Sequence, residues 1–446
     1  MQGAPSLMAE FDYRTATADE IEAEGQWLIG RSLDAISSVT DLLSPSSAST
    51  KGVVGRVIED YFGIERNSRA EPDFAGAGIE LKSVPIQLTK VEARAKERVS
   101  LGMIDWASLT TETWATAKAR HKLERLMLVF YEWSPLRPMG YFPILAAGIW
   151  TPDPLTIKAI EHDWETIRQL ELDGRRSEVS ESLTTLLGAC TKGPGHGSIS
   201  RAWSLKQPFV GWIYRSMVSS VVVARAPAPH ADPQGAFERH ILERLAAVEG
   251  KPLADIAMLT DRLVGAAKSA AANTMRRYLG EKSKGRSGDF ERFGIETKIV
   301  PIDQAGRPVE ATSFPSFVHE ELAFESWEDS DLLGRLNRIL FVPVERARRQ
   351  AQSEAIVGHA FFWSPTEAEL QGIAREWENY RNLIAGGGAA RLPTASQTNY
   401  IHVRPKARDA RDRELAPGGI DVIRRCFWLN QDYVEQIIRE HGGRSR

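Results

Sequence analysis

Residues 71–85 read EPDFAGAGIELKSVP, and residues 287–301 read SGDFERFGIETKIVP. The second phrase repeats the first, with Asp73, Glu80 and Lys82 matched in spacing by Asp289, Glu296 and Lys298. The correspondence continues downstream. Val84–Ile86 recurs as Val300–Ile302, LMLVFYE (Leu126–Glu132) as ILFVPVE (Ile339–Glu345), and DWETIRQL (Asp163–Leu170) as EWENYRNL (Glu376–Leu383). Trp150 and Trp164 are spaced as Trp363 and Trp377 are, which marks all four as core candidates. A period this long is a duplicated domain, since solenoid repeats are far shorter. The length of 446 residues also exceeds what one ordinary core holds. The expected division is a first domain over 1–225, a linker over 226–234 and a second domain over 235–446. The join falls in ARAPAPHADPQG (Ala224–Gly235), which is rich in Pro and polar residues and has no periodicity.

Within the first copy, KGVVGRVIEDYFG (Lys51–Gly63) has helical apolar spacing and a glycine stop. GIELKSVPI reads as a strand, whose alternation puts Glu80 and Lys82 on one face. RLMLVFYE reads as a fully buried strand and PLTIKAIEHDWETIRQL as an amphipathic helix. Helices and strands interleave, so each domain is expected to be α/β with a mixed sheet flanked by helices.

The composition is that of an ordinary globular protein, 42% hydrophobic and 26% charged. No apolar run approaches a membrane span, and the N-terminus has no basic region followed by an apolar stretch, so a cytoplasmic protein without a membrane partner is expected. Two distant cysteines, Cys190 and Cys426, make neither a disulfide framework nor a zinc cluster. A net charge of −3 gives no global nucleic-acid signal, although local basic stretches can still contact phosphate.

Two carboxylates and a lysine converging at a strand suit a divalent metal. Mg²⁺ takes oxygen ligands and is commonly held by one or two carboxylates with phosphate oxygens and water. Asp73 and Glu80 are the candidate ligands, Lys82 the group that orients water and offsets developing charge. Glu59, on the preceding helix, is a candidate third acid. The pattern D-x6-E-x-K also arises by chance from solvated charge. Its recurrence in register favours a site, although copies of one ancestor are not independent witnesses.

At these residues the chain resembles the MutH-type DNA endonucleases, a family that includes a strand-nicking mismatch-repair enzyme and two-domain type II restriction enzymes cutting at GATC. The resemblance spans both halves. It is carried first by KGVVGRVIEDYFG, PDFAGAGIELKSVPI and HKL (His121–Leu123), then by GDFERFGIETKIVPIDQAGRP, FVPVE, FWSP and HVRPKA (His402–Ala407). It implies two tandem restriction-endonuclease-like domains with the PD-(D/E)xK site. Asp73 and Glu80 would bind Mg²⁺, Lys82 would assist the water, Glu59 would support the metal or the water, and Lys122 would lie near the scissile phosphate. The implied reaction is hydrolysis of a phosphodiester in double-stranded DNA, leaving 5′-phosphate and 3′-hydroxyl ends. The second copy has Met275–Arg277 where the first has Glu59, and Arg335 where the first has Lys122. In two-domain relatives the second domain binds a further copy of the target and activates the first. The retained Asp289, Glu296 and Lys298 leave a second working site open as the alternative.

For DNA contact the densest basic stretch of the second domain is HVRPKARDARDR (His402–Arg413), with Arg404 and Lys406 on one strand face. SRAWSLKQPF (Ser200–Phe209) is taken as its counterpart in the first copy, with Arg201 and Lys206 as candidates. The resulting expectation is a Mg²⁺-dependent type II restriction endonuclease. One active site cuts one strand, so double-strand cleavage implies a DNA-induced homodimer or successive nicks. A restriction role also requires a companion DNA methyltransferase to protect the host. The alternatives are a strand-nicking repair enzyme and a DNA-binding regulator whose site has decayed.

Overall fold

The computed structural model describes residues 11–37, 52–65, 71–89, 92–192, 200–219, 232–281, 288–347, 350–407, 409 and 411–442. Two compact units emerge, Met1–Pro233 and Gln234–Arg446. Most of the expected linker, residues 226–231, lies outside the described residues. Among the described residues no helix is long and apolar enough to cross a membrane.

In the first unit the helix α1 (Val53–Tyr61) ends before Gly63, whose φ of +71° is left-handed and suits glycine. Strand β1 (Glu80–Leu88) follows a turn and runs parallel to β4 (Leu126–Glu132), buried along all but its last residue. β2 (Ala93–Ala95) and β5 (Ile144–Trp150) complete a mixed sheet in the order β2-β1-β4-β5. A second, antiparallel sheet has the order β3-β7-β6, from β3 (Val99–Met103), β6 (Leu187–Thr191) and β7 (Arg201–Leu205). α1 packs through Val54, Val57 and Ile58 into a core that also takes Phe62, Phe74, Leu81 and Met127. The short helix α2 (Lys118–Leu123) leads into β4, and α3 (Pro154–Leu172) packs near β6.

The second unit repeats this frame. β8 (Ile295–Ile302) pairs in parallel with β10 (Arg338–Glu345), as β1 does with β4. β11 (Ile356–Val357) and β12 (Phe361–Trp363) flank β10 antiparallel. The other sheet is β13-β16-β9, from β9 (Thr312–Ser316), β13 (Ile401–Pro405) and β16 (Arg425–Leu429). One addition has no described partner in the first unit: the hairpin of β14 (Arg413–Ala416) and β15 (Ile420–Ile423). The units therefore share a mixed α/β architecture.

Two buried features explain why DWETIRQL and EWENYRNL match. Trp164 and Trp377 are fully buried and each tilts against a second indole, Trp114 at 5.8 Å and Trp327 at 5.6 Å. Trp363 is also buried, whereas Trp150 is half-buried with its ring edge on Phe209. One position before the indole on α3, buried Asp163 accepts the N–H groups of Thr185, Leu186 and Leu187. Glu376, on α4 (Glu367–Ala385), accepts those of Asn399, Tyr400 and Ile401. Each acid thus fixes the entry of a strand, β6 in one unit and β13 in the other. An unmet buried N–H costs on the order of 1 kcal/mol or more. Asp163→Ala should therefore remove about 3 kcal/mol from the first unit in urea unfolding followed by tryptophan fluorescence, with Glu376→Ala acting in the same direction on the second.

Candidate active site

The acidic phrase becomes a site because a tight turn precedes β1. Phe74 is fully buried and meets Phe62 edge-on at 5.3 Å, pinning the turn to the core beside α1. Phe74 and Ile79 close the turn with reciprocal backbone hydrogen bonds. Gly76 is required there, because a Cβ would lie 2.5 Å from the Arg14 carbonyl oxygen. Asp73, just ahead of the turn, accepts the N–H of Leu81 at 2.9 Å and so caps β1.

Glu80 and Lys82 share a face, as strand alternation requires, and Lys82 Nζ donates to Glu80 Oε1 at 2.7 Å. The parallel register sets Glu80 opposite Leu126, which brings the end of α2 alongside. Lys122 Nζ then reaches the same Glu80 Oε1 at 2.9 Å. Glu80 is only 4% exposed. Burial works to raise its carboxyl, but Lys82 and Lys122 outweigh burial and hold it below the usual glutamate range. Asp73 goes the other way: burial, reinforced by the Glu80 charge, raises it against the pull of the lysines. Structure thus brings Asp73, Glu80, Lys82 and Lys122 together. Glu59 is half-buried on the same α1 face as Gly55, one turn on, and Gly55 sits over Ser83 of β1.

Both lysines take Glu80 Oε1. Glu80 Oε2 is buried and has no hydrogen-bond partner among the described residues. An orphaned carboxylate oxygen beside a second carboxylate is an expensive arrangement unless a cation meets it. The donor set therefore fits a hard divalent cation. Among the described residues no third His, Cys, Asp or Glu joins the pair, so the remaining ligands would be water and phosphate oxygens, as Mg²⁺ commonly has.

The second unit keeps the letters and changes the contacts. Lys298 Nζ donates to Glu296 Oε1 at 2.9 Å, and Arg335 Nη1 donates to Glu296 Oε2 at 3.1 Å, so both oxygens are taken. Asp331 backs Arg335 at 2.9 Å. Asp289 sits on the short helix α5 (Gly288–Arg292) instead of a turn, with its Oδ1 3.9 Å from buried Arg292 Nε. Gly76 of the first unit corresponds to Arg292, whose bulk and charge change that turn. On the helix α6 (Ala270–Leu279), Arg276 stands where Glu59 stands on α1, counting back from the glycine stops Gly280 and Gly63. Arg276 lies 3.4 Å from Glu281, an acid beside this cluster that lies outside the repeated phrase.

The basic candidates divide. Arg404 is exposed, with its guanidinium over Trp428. Lys406 is exposed and donates to Ser313 Oγ and the Phe314 carbonyl. Arg201 is half-buried and donates to Ala189 on β6. Lys206 is a correction: it is 1% exposed and its ammonium is spent on the Glu181 and Thr184 carbonyls beside the Glu181 carboxylate, so it is a core ion pair with no surface to offer DNA. The pairing of Ser200–Phe209 with His402–Arg413 is corrected too. The Asp163 and Glu376 anchors equate β6 with β13, and therefore β7 with β16. Lys192, exposed just after β6, is the counterpart of Lys406.

A mixed α/β domain with an Asp, a Glu and a Lys at the start of one strand, present twice in one chain, is the class that fold and site define. The family model described as DNA mismatch repair enzyme MutH matches residues 62–163 and 281–376, once in each unit. The type II restriction enzyme Sau3AI of Staphylococcus aureus is 26% identical over 464 residues, covering 89% of this chain and 94% of that protein. The DNA mismatch repair protein MutH of Vibrio campbellii is 29% identical over 218 residues, covering 47% of this chain and 96% of that protein. Its Escherichia coli O127:H6 namesake is 32% identical over 157 residues, covering 34% and 68%. The chain belongs to the MutH family.

The locked cluster of the second unit has a pH signature. Burial would raise Glu296, yet Lys298 and Arg335 draw it from 4.5 down to about 2. A depressed carboxylate contributes stability above its unfolded value that is lost as pH falls through its folded value. Glu296→Gln should be less stable than wild type at neutral pH, and acid–urea titration should show the gap closing between pH 4.5 and about 2.

Proposed function

We propose that the chain is a Mg²⁺-dependent, sequence-specific DNA endonuclease of the restriction type, built from two PD-(D/E)xK domains of which the first cuts. The observation that carries this reading is the orphaned, buried Glu80 Oε2 beside Asp73, with two lysines on the other oxygen. Asp73 and Glu80 would hold the metal. Bound there, Mg²⁺ would lower the pKa of water and offset charge on the phosphoryl group. Lys82 would orient the attacking water, and Lys122 would meet the scissile phosphate. Attack forms the new phosphorus–oxygen bond as the bond to O3′ breaks, leaving a 5′-phosphate and a 3′-hydroxyl.

The second unit is read as a DNA-binding domain. Both Glu296 oxygens are ion-paired, and Arg276 and Arg335 replace the helix acid and the site lysine. Its exposed Arg404 and Lys406, with Lys192 in the first unit, are the proposed DNA contacts. The match to Sau3AI along most of both chains favours a restriction enzyme, with GATC as the proposed target. Two-strand cleavage by one cutting unit per chain requires two chains on DNA or successive nicks, and host protection requires a companion methyltransferase. A strand-nicking repair enzyme needs one such unit, whereas this chain has two.

On unmethylated plasmid with Mg²⁺, wild type should give linear DNA with defined 5′-phosphate ends. Lys82→Ala should slow cutting by about 10²-fold or more with DNA affinity retained, while Glu296→Gln leaves an intact first-unit site. Equal cutting by Lys82→Ala and wild type would sink the assignment, and nicked circles alone would revive the repair reading.

A further inference from the structure

We infer that Arg125 is a positioning residue for the acidic site, holding the Asp73 turn against the start of β1; this rests on the reading of the first unit as a metal-dependent centre. Arg125 immediately precedes β4. Its carbonyl accepts the N–H of Glu80 at 3.1 Å, and its Nη1 donates to the carbonyl of Ala77 at 3.2 Å. One residue therefore ties the strand end that carries Glu80 to the turn that follows Asp73.

Arg125 adds a side-chain clamp from outside that turn. Phe74 anchors one side of it in the core, but Gly76 and Gly78 supply no side-chain packing, and Gly78 has a φ of +64°. Asp73 just before the turn and Glu80 just after it are like charges that repel. The Phe74–Ile79 and Asp73–Leu81 hydrogen bonds close the turn on itself, and Arg125 adds a tie from the neighbouring strand's entry. Arg125 lies three residues after Lys122, so the short junction from α2 to β4 presents one cation to Glu80 and a second to the turn.

The second unit provides an internal comparison. Parallel register places Arg338 opposite Ile295 as the chain enters β10, the position Arg125 holds before β4. Yet Arg338 makes a forked pair with Glu238, with Nε at 2.8 Å from Oε1, and donates to Ser364 Oγ. The segment before β8 is the helix α5, which closes its own hydrogen bonds. The arginine is present in both units and grips the acidic phrase only where Glu80 keeps an unshared oxygen.

The test compares wild type, Arg125→Met, Arg125→Lys, Asp73→Asn and Lys82→Ala, full length. Mn²⁺ binding is read by electron paramagnetic resonance, Mg²⁺ dependence by plasmid cutting, DNA affinity without divalent metal, and amide hydrogen exchange over residues 73–80. Supporting partners around a metal site typically change affinity or activity 10–100-fold when lost. Arg125→Met should weaken Mn²⁺ binding and raise half-saturating Mg²⁺ about tenfold, speed exchange in the turn, and keep wild-type DNA affinity and melting temperature. Arg125→Lys, retaining one donor, should recover part of the loss. Wild-type metal affinity and exchange in Arg125→Met would overturn the inference alone, provided Asp73→Asn loses Mn²⁺. So would a loss that only follows a lowered melting temperature. If Asp73→Asn binds Mn²⁺ as wild type does, the metal reading itself falls and takes the inference with it.

Discussion

Burying a carboxylate is costly unless charge meets it, and the first unit is arranged around that constraint at Glu80. An ion transferred from water loses several kcal/mol of solvation even after relaxation, which only close, well-aligned partners return. Strand alternation supplies Lys82 from the same strand, and the parallel β1–β4 register supplies Lys122 from the helix before the neighbouring strand. Both cations sit on one oxygen. The other is buried with no partner among the described residues, and that asymmetry is what the proposed metal reading rests on.

The second unit solves the same problem differently. Arg335, longer and forked, reaches the second oxygen of Glu296 and closes the asymmetry. Around it the charge pattern inverts: arginine replaces the helix acid, and Arg292 replaces the turn glycine, so the chain before β8 becomes helical. Each change lowers the cost of a buried acid without a metal. Three retained letters, Asp289, Glu296 and Lys298, therefore describe two sites with different electrostatics.

Much of this was legible in the sequence, and the reasons are physical. Glu80 and Lys82 had to share a face once GIELKSVPI was a strand, and the long apolar run of LMLVFYE marked a buried strand. The turn to Lys122 was legible only through the family, because no local periodicity ties residue 122 to residue 80. Lys206 misled because a lysine in a basic, polar stretch is usually exposed; its burial depends on Glu181 and the Thr184 carbonyl, which approach only after folding. The basic strands were paired wrongly because charge was compared where register was needed. The short segment after β6 and the inserted hairpin after β13 shift the two copies apart, and only the acids on the long helices restore the alignment.

Those acids also explain why a frame can persist while its site changes. Asp163 satisfies three consecutive buried N–H groups and Glu376 three consecutive N–H groups nearer the surface, so either loss destabilises its unit whatever chemistry the unit performs. Glu59 and Lys122 carry no such penalty once an arginine can satisfy the buried glutamate, and these are positions where the units differ. The tilted indole pairs and strand anchors are common to both units, while the groups facing the carboxylates differ, one glutamate oxygen left unshared in the first unit and both ion-paired in the second. A duplicated domain that retains its anchors can change the groups around its acids without losing its fold, and exposed Arg404 on β13 and Lys406 just after it then remain presented at a fixed register.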